Sequence, residues 1–151
     1  MTAVLVLKNL TDPATVELAR AIGALAQEQG YEVQFLDLSR GASEQEYEYY
    51  LQQTAPELLI TFDCAGFDFR LMGEDLFYNS LSCPMAHILL QGPEGFDTEL
   101  RCRMNFDAVY YTMTPEEATR IRERYEAVPA VQPIAEIRLP MPGEVKKSGP
   151  I

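Results

Sequence analysis

The chain has 151 residues, which fits one domain of ordinary size, and its 47% apolar share is that of a globular protein. A net charge of −11 repels phosphate backbones and anionic lipid, so the composition excludes nucleic acid and membrane surfaces as expected partners. The acids are concentrated in residues 1–75, which hold 13 acidic and 4 basic side chains, against 10 and 8 in residues 76–151.

The opening Val4-Leu5-Val6-Leu7 is a continuous apolar run, the pattern of a strand buried on both faces, and it is too short for a membrane span or a signal peptide. Thr11-Asp12-Pro13 supplies a helix start, and Val16, Leu18, Ala19, Ile22, Leu25 and Ala26 recur at helical spacing, which predicts a helix over 13–29 closed by Gly30. A second strand is expected from Tyr31 to Leu38. Ser43 and Glu46 have the spacing of a capping box and open a second helix that ends near Gln53, before Pro56. Leu58 to Phe62 is the third strand, followed by the turn Asp63-Cys64-Ala65-Gly66.

Spacing further predicts a helix over 72–81, a fourth strand from Pro84 to Leu90, a helical turn near 96–102, and a fifth strand over Asp107–Tyr111. Thr114-Pro115-Glu116-Glu117 starts a last helix with acids in its first turn and arginines toward its end. Residues 128–139, broken by Pro129 and Pro133, read as an edge strand or an irregular segment, and 141–151 as a flexible tail after a single domain over 1–140.

Alternating strands and helices of this kind predict an α/β fold, three-layer α/β/α, with a parallel sheet of about five strands in Rossmann-like or flavodoxin-like order. Ligands of such sheets bind beyond the carboxyl ends of the strands. The richest loop there is Asp63 to Arg70. Asp63 offers a hydrogen-bond acceptor for sugar or ribose hydroxyls, Gly66 close backbone approach, and Asp68 and Arg70 further charge. The competing reading makes Asp63 a cap and Arg70 half of an ion pair.

His87 is the one histidine, so a single-histidine mechanism is the most this chain offers, with Asp63 or Tyr78 as a companion; its apolar surroundings fit a core histidine better. Cys64, at a strand end, would be nucleophilic only if something lowered its pKa. The three cysteines, Cys64, Cys83 and Cys102, are odd in number and widely spaced, which suits reduced thiols and a cytoplasmic location. Tyr47, Tyr49 and Tyr50 crowd one helix and offer either a core stripe or a partner surface, with a homodimer among the expectations. Arg101 and Arg103 could grip an anion or lie exposed.

The turn after the first strand, Lys8-Asn9-Leu10-Thr11-Asp12, lacks the glycines of a dinucleotide fingerprint and of a flavin phosphate loop. There is no phosphate-binding P-loop, nucleophile elbow or cysteine–histidine metal cluster, so no cofactor and no metal is expected. The acid pair and lysine of a receiver domain are also missing.

Glu57-Leu58-Leu59-Ile60-Thr61-Phe62-Asp63-Cys64-Ala65-Gly66-Phe67, then Tyr78-Asn79-Ser80-Leu81 and Pro84 to Leu89, resembles the N-terminal half of GT-B glycosyltransferases of the CgeB-like spore-maturation type. In that family the nucleotide-sugar is held mainly by a C-terminal half. The resemblance therefore implies a lone half: a non-catalytic module that binds a small molecule (a sugar or nucleotide-sugar) or another protein chain. The alternative is a small enzyme working through Asp63 and His87.

Overall fold

The computed structural model describes residues 1–8, 10–70, 76–102, 108–126, 128 and 130–142. Strand β1 is Thr2–Leu7, β2 Glu32–Asp37, β3 Leu58–Phe62, β4 Met85–Leu89, β5 Ala108–Thr112 and β6 Val131–Pro133; helix α1 is Pro13–Glu28, α2 Glu44–Thr54, α3 Asp97–Cys102 and α4 Pro115–Arg124. The strands form one parallel sheet in the order β2-β1-β3-β4-β5-β6. Of the two expected orders the flavodoxin-like one is realised, extended by β6 as a sixth, edge strand.

Local chemistry explains the element ends. The Asp12 carboxylate accepts from the Ala14 N–H at 3.1 Å and Pro13 takes the first helical position, where its missing N–H costs nothing. Ser43 and Glu46 form the reciprocal capping box of α2. Thr114 caps α4, whose last turn carries Arg122 and Arg124 where the helix dipole favours cations.

Every residue of β3 and β4 is buried, as their continuous apolar sequence requires of strands covered on both faces. On one face lie α2, α3, α4 and residues 64–69 and 76–78, with Val4, Leu51, Phe67, Phe77, Tyr110 and Ile121 in the core beneath them. On the other, α1 sets Ala19, Ile22 and Ala26 against Leu5, Ile60 and Ile88.

Among the described residues this second face carries one helix. Over β4 and β5 it is covered by an extended strap, residues 134–140, which begins with a short 3-10 turn at Ile134–Glu136 and brings Leu139 into the core. The Tyr31 hydroxyl donates to the Pro140 carbonyl at 2.8 Å and holds the strap's far end.

Two sequence expectations change. The helix predicted over 72–81 is a 3-10 turn at Phe77–Ser80, while residues 71–75 lie outside the described part. Its side chains follow burial and not helical period: Phe77 and Tyr78 are adjacent and both buried. The proline-broken stretch does form a strand, but one of three residues, as an edge position permits. Residue 107, the Arg103 site and the tail from 143 onward fall outside the described residues.

Candidate functional site

The strand order reverses between β1 and β3, so the crevice that this architecture offers to a ligand lies between the turn after β1 and the turn after β3. The second turn is the Asp63–Arg70 loop. Its backbone is unusual: Asp63 and Cys64 take φ of 52° and 57°, and Gly66 takes 85°. Two consecutive left-handed residues let Ala65 N–H bond back to the Phe62 carbonyl at 3.2 Å, which reverses the chain within one turn of β3. Phe67 then closes on Cys64 and Phe69 on Gly66, so the loop is a string of tight turns.

Asp63 and Gly66 of this loop have contacts within the fold. Asp63 is about half-buried, and one carboxylate oxygen accepts from the Leu90 N–H at 2.8 Å and the Gln91 N–H at 3.3 Å, tying down the end of β4. Burial raises its pKa, the two N–H bonds oppose that, and the nearby Asp12 carboxylate adds to the rise.

Gly66 is buried, and a β-carbon there would stand 1.9 Å from the Tyr78 hydroxyl oxygen. That hydroxyl donates to the Ala65 carbonyl at 2.7 Å. The glycine makes room for a tyrosine of this chain. Asp68 is exposed, and the Arg70 backbone N–H meets the Glu44 carboxylate at 3.4 Å.

His87 is fully buried. In the sheet register Thr61, His87 and Tyr110 are cross-strand neighbours on β3, β4 and β5, so their side chains share one face. The Thr61 hydroxyl lies 2.7 Å from His87 Nδ1, and the ring is packed edge-on by Phe67 at 4.8 Å with Tyr110 at 5.0 Å and Tyr78 at 6.3 Å. The imidazole thus sits inside an aromatic cage with Nδ1 held by Thr61.

Cys64 is buried, and burial pushes its thiol well above the ordinary value, with the carboxylates of Glu99, Asp63 and Asp68 acting in the same direction. Burial likewise pushes Cys83 up to about 12. Neither is an activated nucleophile. Of the three tyrosines on α2, Tyr47 is buried, Tyr50 donates to the Gln34 side chain on β2, and Tyr49 is exposed.

The crevice itself is acidic. Asp12 occupies the N-terminus of α1, also accepting from the Thr15 hydroxyl at 3.0 Å, and Asp63 stands across from it. The N–H groups that would cradle a phosphate there already hold the chain's own carboxylate. Among the described residues no group of three or more metal-ligating side chains is gathered.

A concavity lies elsewhere, at the amino ends of β3, β4 and β5 on the face that carries α1. It is a groove of about 820 Å³ between Leu25 of α1, with Gln29 at that helix's C-cap, and Arg138–Pro140 of the strap with Met141 after it, floored by Leu58, Met85 and Val109. Its lining is mainly apolar, with Gln29, Tyr111 and Arg138 as polar groups. The Gln29 side-chain oxygen is buried with no hydrogen-bond partner among the described residues. Nothing in the sequence signalled this groove, because it exists only where the strap stands in for a second helix.

The fold is that of a three-layer α/β protein with flavodoxin-like strand order. No family model matches the chain, and no curated protein or solved structure matches it either.

Asp63 separates the structural reading of the rim from a chemical one. The folded state raises its pKa, so this carboxyl favours folding most below its unfolded pKa and loses that contribution as pH rises through the folded one. Asp63→Asn keeps the acceptor for Leu90 and Gln91, suits a left-handed backbone and should leave stability at pH 7 unchanged or higher. Asp63→Ala removes the acceptor and should cost about 2 kcal/mol. Urea denaturation from pH 4 to 8 checks both, and an asparagine variant as weak as the alanine one would contradict this account.

Proposed function

We propose that this chain is a non-catalytic α/β binding module, as the resemblance to a lone glycosyltransferase N-terminal half would have it, and that it works by holding a ligand or partner. The observation that carries the reading is the state of the groups that chemistry would need. The single histidine is enclosed by Thr61, Phe67, Tyr78 and Tyr110, the Asp63 carboxylate is turned onto two backbone N–H groups, and the Cys64 thiol is held protonated by burial.

The ligand surface this reading favours is the groove between α1 and the strap. Its volume falls in the range of small-molecule sites, and it combines apolar walls with a few polar groups. The ligand class is a compact molecule with an apolar body and a polar end that reaches Gln29 or Arg138. The two carboxylates at the α1 crevice disfavour a nucleotide-sugar phosphate there.

A thermal-shift panel of sugars, nucleotide-sugars, flavins and small apolar acids and amides tests the reading. The expected result is stabilisation by an apolar compound that survives Asp63→Asn and is lost in Val109→Trp, which fills the groove floor. Stabilisation by nucleotide-sugars that Asp63→Asn abolishes, or turnover of any panel compound, would overturn it.

A further inference from the structure

Two polar residues on the walls of the groove have needs that this chain does not meet. Gln29 is the C-cap of α1, and its backbone N–H is bonded there to the Leu25 and Ala26 carbonyls. The residue lines the groove, and its side-chain oxygen is buried with no hydrogen-bond partner among the described residues. A buried amide oxygen without a donor is costly, so the site favours whatever brings one.

Arg138 stands on the strap side. Its backbone is held by one hydroxyl: Tyr111, itself buried, accepts from the Arg138 N–H and donates to the Arg138 carbonyl, each at 3.4 Å. Leu139 beside it is buried in the core. The root of the arginine is thus fixed at the groove while the residue is exposed. Arg40, Arg120 and Arg124 each meet a carboxylate of this chain, whereas among the described residues no carboxylate lies within 4.0 Å of the Arg138 guanidinium. Arg138 is also the one charged side chain in the described lining.

The two groups ask for different chemistry. A guanidinium is matched by the planar two-oxygen edge of a carboxylate. One cation balances one negative charge, which suits a monocarboxylate better than a phosphate dianion in a chain of net charge −11. The Gln29 oxygen needs an N–H or O–H. A neutral donor fits it, and an ammonium does not, because an ammonium carries three donors and the described lining has no carboxylate to balance its charge. The floor of Leu58, Met85 and Val109 takes an apolar body.

We propose, building on the groove as this chain's ligand surface, that its ligand is a monocarboxylic acid with an apolar body and a neutral hydroxyl or amide N–H. The carboxylate pairs with Arg138, the hydroxyl or N–H donates to Gln29, and the body covers the floor. Hydroxy acids and N-acyl amino acids belong to this class. Free amino acids, phosphate esters and nucleotide-sugars do not.

Calorimetric titration at pH 7 with 3-hydroxydecanoate, decanoate, methyl 3-hydroxydecanoate and decanol tests this, each kept below its micellar concentration. The hydroxy acid should bind tightest. Decanoate should be weaker by about 5-fold, the worth of one neutral hydrogen bond, and the methyl ester by about 10-fold, the worth of a charged one. Arg138→Gln should erase the difference between acid and ester and keep the preference for the hydroxyl. Gln29→Leu should do the reverse. Arg138 is exposed and Gln29 sits half-buried at a helix end, so both variants should fold, which melting curves check. If either unfolds, the ranking of the probes on the unmodified chain decides alone. An ester that binds as tightly as the acid, decanoate that binds as tightly as the hydroxy acid, or either preference surviving its variant would overturn the proposed ligand class while the groove still stands as the ligand surface. Failure of all four probes to bind, decanol included, or binding that survives Val109→Trp, would overturn the groove reading and the ligand class with it.

Discussion

Gly66→Ala is expected to lose about 4 kcal/mol of stability, read as a shift of the urea midpoint, which is a large part of what a domain of this size possesses. Two costs add. At φ 85° a side chain enters a left-handed conformation that costs about 1–3 kcal/mol without glycine. The new methyl would also stand 1.9 Å from the Tyr78 hydroxyl oxygen and 2.7 Å from the ring carbon that bears it, in a fully buried place. Tyr78 cannot swing aside cheaply, because its hydroxyl holds the Ala65 carbonyl and its ring packs on Phe67 and Phe77. Overpacking of that kind costs about 1–3 kcal/mol more.

Tyr78→Phe separates the two costs. Alone it should cost about 1–2 kcal/mol, since it leaves the buried Ala65 carbonyl without its donor. Combined with Gly66→Ala the total should fall short of the sum of the two single losses, because the closest contact disappears with the hydroxyl while the backbone strain and the 2.7 Å approach to the ring carbon stay. Strict additivity, or a Gly66→Ala midpoint close to that of the unmodified chain, would show that the turn tolerates a side chain and is set by something other than this contact.

Gly66 also shows where the sequence could be read and where it could not. Local signals were legible because their physics is local. Asp12 and Pro13 at the start of α1, Ser43 with Glu46, Thr114, and the unbroken apolar run of β3 each specify an element within a few residues. The parallel α/β architecture followed from their alternation. The position of the Asp63–Gly66 turn at the carboxyl end of β3 followed as well.

The reason for the glycine did not. Read locally, it suggests backbone approach to a ligand, whereas it faces a tyrosine twelve residues further on, in a 3-10 turn whose residues look helical by spacing. Register was equally out of reach. That Thr61, His87 and Tyr110 stand side by side depends on how three strands slide against one another, which no single strand encodes. The groove was hidden for a third reason. It depends on residues 134–140 crossing the sheet as an extended strap, and proline-punctuated segments carry little signal of where they will lie.

His87 is the site of the second large effect. His87→Ala should cost about 3–4 kcal/mol, because it empties a closed space between three aromatic rings and strands the Thr61 hydroxyl. His87→Gln should fall between, since an amide can reach Thr61 but cannot fill the cage. Thr61→Val, which keeps volume and deletes the hydroxyl, should cost about 1–2 kcal/mol. The double variant Thr61→Val with His87→Gln should cost less than the sum of the two, by the coupling of one buried hydrogen bond. A general base behaves in the opposite way: its removal abolishes turnover while leaving the melting curve nearly unchanged, because a catalytic imidazole must meet substrate at a surface. Denaturation curves for the four proteins therefore decide what the histidine is for. A His87→Gln protein with the unmodified urea midpoint would mean that the aromatic cage is no structural keystone and would contradict the proposed structural role of His87.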